Sequence, residues 1–449
     1  ESTGLSQDTK FMNSVLKVNY VNSDLYVADL SIGGMGSNKF RGNNKYALSY
    51  ALGLGWIMSE ENFMKSIKGI DYLKIKASVG LLPYDAQTQH DLYHTQWNNN
   101  GSARLNNSLN PSRTNIQRIG NPDLEWEKSS EINIGMEFLG MNKKLWVEAN
   151  YFNEYRYNII QQVSSTHADM YGTFYSFENW GEVLNQGIEA ELSYADRIND
   201  FFYQTGFNVI YVKNKQKKID QVNYPDEYLN RTGKPSDAMY GYVSRGLFGK
   251  DVDLSNAPRQ NFGPYQAGDI AYEDLNGDHV VDELDMRMVG NSFPRVHLGI
   301  NLNLNYKGFG LYVLGTGQFG YNNWKNSSYY WFSGENKYSI EALNRYHSTH
   351  NPGGDFPRLT TSNSSNNYRN STFWMEKADL FRVKNVEVSY LVENKNNTDV
   401  LYKTLKLFVR GTNLGCITSV KNRDPEAVNA GLDSYPLLKT ITAGVTLSF

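Results

Sequence analysis

The residues with the most chemical content are Asp274, Asn276, Asp278, Val280, Asp282 and Asp285, in the run DLNGDHVVDELD. Side-chain oxygens recur at its first, third, fifth, ninth and twelfth positions, and the Val280 carbonyl falls at the seventh. That is the spacing of a calcium loop, in which a hard cation gathers oxygen ligands in a tight turn. The six residues therefore form a candidate structural calcium site. Two departures count against it. His279 stands where a glycine would make the sharp turn, and Asp285 is shorter than the usual glutamate. The competing reading is a polar turn closed by its own Asx hydrogen bonds. Either way the loop stiffens a connection, and no cofactor is required.

Other chemical patterns are weaker. Gly315, Gly317 and Gly320 match GxGxxG, but YNNWKNSSYYWF follows and cannot open a helix to receive pyrophosphate. A strand with small residues facing a water-filled interior is the better reading. His347 and His350 sit in a Ser/Asn-rich stretch with no carboxylate in a defined motif, which reads as two solvated histidines. Only seven His occur, no GxSxG is present, and nothing resembles a Ser/His/Asp arrangement, so no enzyme is expected. Aromatic residues are more suggestive. Trp324, Tyr329, Tyr330 and Trp331 crowd one polar stretch with Tyr321 and Phe332, and Tyr93 and Trp97 occupy another. Flat rings stack on sugars and peptide side chains, so these are candidate substrate or partner contacts. The alternatives are loop self-packing and an interfacial girdle.

The elements that must position these groups are strands. In TITAGVTLSF, Ile441, Ala443, Val445, Leu447 and Phe449 fall on one face and small polar residues on the other. The same alternation recurs in Leu73–Leu81, Glu131–Phe138, Ile188–Tyr194, Val296–Asn305 and Leu405–Arg410, with Phe408 as an exception on the polar side. About 13 such strands are expected from the alternation criterion, and one short helix near Glu60–Lys68. No run of 18 apolar residues exists, so no transmembrane helix is expected. A mean hydropathy of −0.56 still permits a membrane barrel, because alternation halves the hydropathy of every strand. Net charge is −3, which offers nucleic acid no basic surface. The single Cys416 excludes an internal disulfide.

Short links near 22–24, 140–143, 196–200, 306–309 and 393–399 alternate with long polar ones at about 82–122, 164–185, 216–288, 320–378 and 413–437. Bacterial outer-membrane barrels have this asymmetry, with tight periplasmic turns and long outer loops. Lys74, Lys76, Glu131, Glu137, Glu189 and Glu191 would then line the lumen as a solvated wall. Closed barrels have even strand numbers and end in the periplasm. An odd count with a periplasmic C-terminus leads us to expect the C-terminal part of a larger barrel, beginning on the outer side.

WEKSSEINIGMEF (126–138), NQGIEAELSY (185–194), the 268–302 stretch, FRVKNVEVSYLV, VRGTNLGCITSV and the final DPEAVNAG…YPLLKTITAGVTLSF resemble, in order, the SusC/RagA-like TonB-dependent outer-membrane transporters. The resemblance spans nearly the whole chain. It implies a plugged barrel of about 22 strands, of which this chain would be one domain, with the plug and early strands on a complementary N-terminal piece. It implies an outer-membrane location, energy from TonB acting through that plug, and a SusD-like surface lipoprotein closing over the barrel as a lid. The cargo would be oligosaccharides or peptides. The rival reading is a soluble or surface-attached all-β glycan-binding or adhesin protein stabilised by calcium, which would bury Val445 and Leu447 in a sandwich core.

Overall fold

The computed structural model describes residues 8–98, 102–105, 108–112, 114–165, 176–332, 338–360, 365–393, 403–426, 435 and 437–448. Phe449, and parts of the links near 393–399 and 413–437, lie outside them.

Alternating residues extend into strands because a period of two puts every apolar side chain on one surface. Among the described residues, thirteen strands form one large sheet. They are β1 (Phe11–Asn22), β2 (Tyr26–Ser37), β3 (Tyr46–Ile57), β4 (Ile70–Tyr84), β5 (Glu127–Gly140), β6 (Leu145–Val163), β7 (Ser176–Ile198), β8 (Phe201–Lys218), β9 (Val296–Tyr306), β10 (Phe309–Phe319), β11 (Leu380–Glu393), β12 (Thr404–Thr418) and β13 (Thr440–Ser448). They pair in strict sequence order in one sheet. The expected all-β class and strand count hold. Among the described residues, β1 and β13 each pair on one side only.

Two-residue links close two of the pairs, β7 with β8 and β9 with β10. Between β9 and β10, Lys307 (φ 47°) and Gly308 (φ 89°) both take the left-handed conformation that matches the twist of the flanking strands. The long connections run over 85–126, 219–295, 320–379 and 419–439. The connections expected at 164–185 and from 216 are shortened by their flanking strands. β7, of 23 residues, begins at Ser176, and β8, of 18, continues to Lys218. Both exceed the roughly 10 residues that cross hydrocarbon, because polar residues go on pairing beyond that depth. The helix expected near Glu60–Lys68 is absent. Met58–Glu60 forms a 3-10 turn, and the stretch after it makes one i→i+4 bond, from Lys65 N to Glu61 O. Gly69 at φ 96° stops it before a helix could propagate.

The chain divides into two compact units. The first holds 1–190, 212–223 and 231–236. Its buried cluster is Phe40, Leu92, Leu124 and Trp126, with the Phe40 and Trp126 rings 5.2 Å apart. The second holds 191–211, 224–230 and 237–449. Within it, the long connections before β9 and before β11 fold together. Tyr242 bridges Ser371, and paired segments 238–241 with 287–291, 244–247 with 270–272 and 322–324 with 375–377 brace them. An aromatic core results, built on Tyr242, Phe262, Tyr272, Phe332, Phe356 and Trp374.

Candidate functional site

The apolar face of the sheet comes first, because the register aligns it into rows. In the second unit Tyr306, Phe309, Tyr390, Leu407 and Val445 stand side by side across five strands. The next row is Leu304, Leu311, Val388, Val409 and Ala443. In the first unit Leu30, Leu52, Val79 and Ile132 form a similar row. These side chains point away from the protein: Val445 is 61% exposed and Leu407 45%. Ile441, Ala443, Val445 and Leu447, expected on one face of the last strand, do share it and are exposed there. A sandwich would have buried them. Contiguous exposed apolar surface of this kind marks a membrane or interaction face.

The opposite face carries ion pairs that the sequence did not disclose. Lys76 Nζ lies 2.9 Å from Glu137 Oε1 and 2.6 Å from Glu148 Oε1, and Lys74 lies 3.8 Å from Glu137. The expected solvated lysines are thus paired across β4, β5 and β6. Glu191 is exposed and Glu189 half-buried on β7. Beside Glu131 and Asn133, small residues Ser31, Ser49, Ser78 and Gly80 leave a hollow of about 300 Å³. In the second unit Glu387 accepts from Lys406 at 2.6 Å and from Arg410 Nε at 2.8 Å. Phe408, the exception to the alternation, lies between those two cations and over Gly444, where a Cβ would sit 2.5 Å from its ring. Asp424 and Glu426, in the connection after β12, reach Arg382 at 2.5 and 3.1 Å, and Glu426 takes Lys384 at 2.8 Å. These partners were illegible because each pair joins residues far apart in sequence. One face assignment is corrected: Gly315 and Gly317 stand opposite Ile300 and Leu298 on the apolar side, where they make room for the Phe381 and Phe319 rings.

The candidate contact aromatics divide. Tyr330 is 5% exposed inside the aromatic core, and burial pushes its hydroxyl up to about 12. Trp331 stacks on Tyr368 at 5.7 Å and meets Trp374 edge-on, while Tyr329 packs against Tyr330 at 4.9 Å. Trp324 is partly buried on the 322–324 strand. These four belong to the packing of the loops. Tyr93 is half-buried with its ring 4.3 Å from His94, and Trp97, 59% exposed, is the most available of the set. His347 and His350 form a turn in which His347 Nδ1 accepts from the Thr349 and His350 amides at 3.2 Å.

In the calcium-loop candidate, the carboxylates face the loop's own amides. Asp274 accepts from Gly277 N (2.7 Å) and His279 N (2.8 Å), and Asp278 from Val280 N (2.8 Å). Asn276 Oδ1 accepts from Asp278 N at 3.0 Å, and Asp282 Oδ1 from Leu284 N at 2.9 Å. Asp285 is fully buried, and its two oxygens accept from Leu275 N (2.7 Å) and Asp282 N (2.8 Å). Burial holds its carboxyl above the usual value despite those amides. His279 makes the sharp turn at φ 68°, the conformation glycine takes in such loops. Among the described residues, no three His, Cys, Asp or Glu side chains are grouped to hold a metal ion.

Comparison with known proteins places this arrangement. Residues 15–330 match the family model described as TonB dependent receptor-like, beta-barrel. The chain is 23% identical over 98% of its length to TonB-dependent receptor P3 of Formosa agariphila, covering 46% of that protein. It is 21% identical over its whole length to TonB-dependent receptor SusC of Bacteroides thetaiotaomicron, covering 45% of it. A solved structure of the RagAB peptide transporter superimposes with a TM-score of 0.79 at 20% identity, over 98% of this chain and 48% of that one. The chain spans about half the length of the curated relatives it matches.

Proposed function

We propose a function from the premise that the chain belongs to the TonB-dependent receptor-like β-barrel family, a family of receptors and not of enzymes. The chain supplies part of the wall and the long outer connections of an outer-membrane importer. Its exposed apolar rows face lipid, its ion-paired face lines a water-filled passage, and its short links and C-terminus lie in the periplasm. The cargo is an oligosaccharide or a peptide. A SusD-like lipoprotein closes over the long connections, with Trp97 an available contact, and TonB drives the cycle through a plug. The names of the SusC and RagAB relatives support partner and cargo.

The observation that carries the reading is the exposed row Tyr306, Phe309, Tyr390, Leu407 and Val445. In water such a row would drive aggregation, whereas in hydrocarbon it costs nothing. The protein should therefore need detergent and should migrate faster on gels before boiling than after. A monodisperse protein in plain buffer, with Leu447 shielded, would refute this.

The outer sides of β1 and β13, which have no strand partner among the described residues, support a second part of the proposal. A backbone edge left open inside a bilayer is prohibitive, so further strands complete the sheet, and the plug through which TonB acts accompanies them. Purification of the tagged protein from outer membranes should bring the plug-bearing segment, on the same or a separate chain, together with a surface lipoprotein. Recovery of these strands alone would reject that part. Calcium at 274–285 is not required in this proposal, because the amides already occupy the Asp285 oxygens.

A further inference from the structure

The link between β3 and β4 differs from the other short ones. The links at 23–25, 141–144, 199–200 and 307–308 do no more than turn the chain, whereas this one runs over 58–69. The strands it joins are direct neighbours, with Ile57 opposite Lys74, so their pairing does not need the extra residues.

The link is fastened to one face of the sheet. The Glu61 carboxylate accepts from Tyr26 Oη at 2.8 Å and from Trp56 Nε1 at 3.2 Å. Tyr26 and Trp56 stand opposite each other on β2 and β3, and Ile75 of β4 continues their row. Alternation puts that row on the same face as Leu30, Leu52 and Val79. Phe63 adds its ring 6.5 Å from that of Trp56. The link is thus bent back onto the apolar face, away from the face of Lys74 and Lys76. Bonds from Met64 N to Glu61 O at 3.0 Å and from Ile67 N to Met64 O at 2.9 Å keep it compact. Met64 is buried, yet Phe63 and Ile67 are exposed. Lys65 and Lys68 are exposed beside them.

A single exposed apolar side chain on a water-soluble surface is ordinary. Phe63 and Ile67 lie instead on a segment tied to the last row of a lipid-facing stripe. Rings with polar tips, such as Tyr26 and Trp56, sit at the headgroup level of a bilayer. Lysine stems lie along apolar surface while their heads stay in water.

We propose that the 58–69 link is an interfacial foot that binds the lipid surface of the inner leaflet. Phe63 and Ile67 enter the acyl region, and Lys65 and Lys68 meet the phospholipid phosphates. The inference rests on the barrel reading above, which sets the short links at the periplasmic end. Continuity with the lipid-facing stripe names the occupant, and the two lysines complement its charge.

The test uses the full protein carrying Cys416→Ser, reconstituted in vesicles of phosphatidylethanolamine and phosphatidylglycerol. A nitroxide is attached in turn through Phe63→Cys, Ile67→Cys, Val79→Cys and Asp200→Cys. Oxygen concentrates among acyl chains and a nickel chelate in water, so the ratio of their collision rates reads depth. The labels at 63 and 67 should favour oxygen, as the label at 79 does, while the label at 200 favours nickel. Adding Lys65→Gln/Lys68→Gln to the Ile67→Cys protein should lower its ratio about twofold. Nickel-favoured labels at 63 and 67, with 79 still oxygen-favoured, would overturn the foot and leave the barrel standing. An unchanged ratio in the Gln double would strike the lysines from it. A nickel-favoured label at 79 would remove the barrel reading and this inference together.

Discussion

Val388 and Trp374 lie close in sequence and point in opposite senses. Val388 stands between Leu311 and Val409 on the sheet and is 55% exposed. Trp374 is 1% exposed in the loop core, where its indole N–H donates to the Asn367 carbonyl at 2.6 Å. The sheet keeps its grease outside and its charges paired on the other face, whereas the connections keep theirs inside, as a water-soluble domain does. The difference reflects two solvents. A strand crossing hydrocarbon gains nothing by hiding Val388, while a long connection in water must hide its aromatic rings to stay ordered.

Breaking each side should give distinct signatures. Trp374→Ala removes the centre of the loop core and should cost about 3–5 kcal/mol there. Limited proteolysis should then cut within 219–295 and 320–379 while heat-modifiable mobility survives; cutting of both regions in step with loss of mobility would dissolve the distinction. Val388→Arg attacks the other side. A cation on the lipid face should cost about 2–4 kcal/mol near the bilayer midplane, lowering membrane insertion while leaving any folded connections protease-resistant. Unaltered insertion would mean that Val388 does not meet lipid.

A smaller effect sharpens the comparison by pH. Lys250 and Asp355 clamp two connections of the loop region. The hydrogen bond from Lys250 holds the Asp355 carboxyl below its usual value, and the same contact raises Lys250. The carboxylate's contribution is therefore present above its unfolded pKa and lost as pH falls through the lowered folded value. Asp355 is well exposed, so screening limits the pair to within about 1 kcal/mol. Protease sensitivity near Asp355 should rise slightly below pH 4, and Asp355→Asn should abolish that rise. The smallest expected effect is none: calorimetry with calcium and with chelator should give equal heats for wild type and Asp278→Ala. A heat present only in wild type would assign an ion to the 274–285 loop.

The strands were legible because alternation is local, and Ile441, Ala443, Val445 and Leu447 share a face simply by having a period of two. The short links were legible too, since Lys307-Gly308 carries its own turn chemistry. The ion pairs were not, because the partners of Lys76 and Glu387 are fixed by cross-strand register that composition does not encode. Nor was the fate of Tyr330 and Trp331. A crowd of rings in a polar stretch looks the same whether it meets a ligand or another connection, and only the second connection, contributing Phe356, Tyr368 and Trp374, decides. Gly315 and Gly317 were assigned to the wrong face because glycine carries no hydropathy signal, and only the Phe381 and Phe319 rings show which side they serve.

Gln260 ties the two long connections together. Its amide donates to the Ile270 carbonyl at 3.0 Å and also bonds Asn366, while Asn367 accepts from the Ile270 N–H at 2.9 Å and donates to Asp269 at 2.8 Å. Residues about a hundred positions apart thereby close one another's polar groups. The two connections therefore share one polar seam, and a nick in either should loosen both.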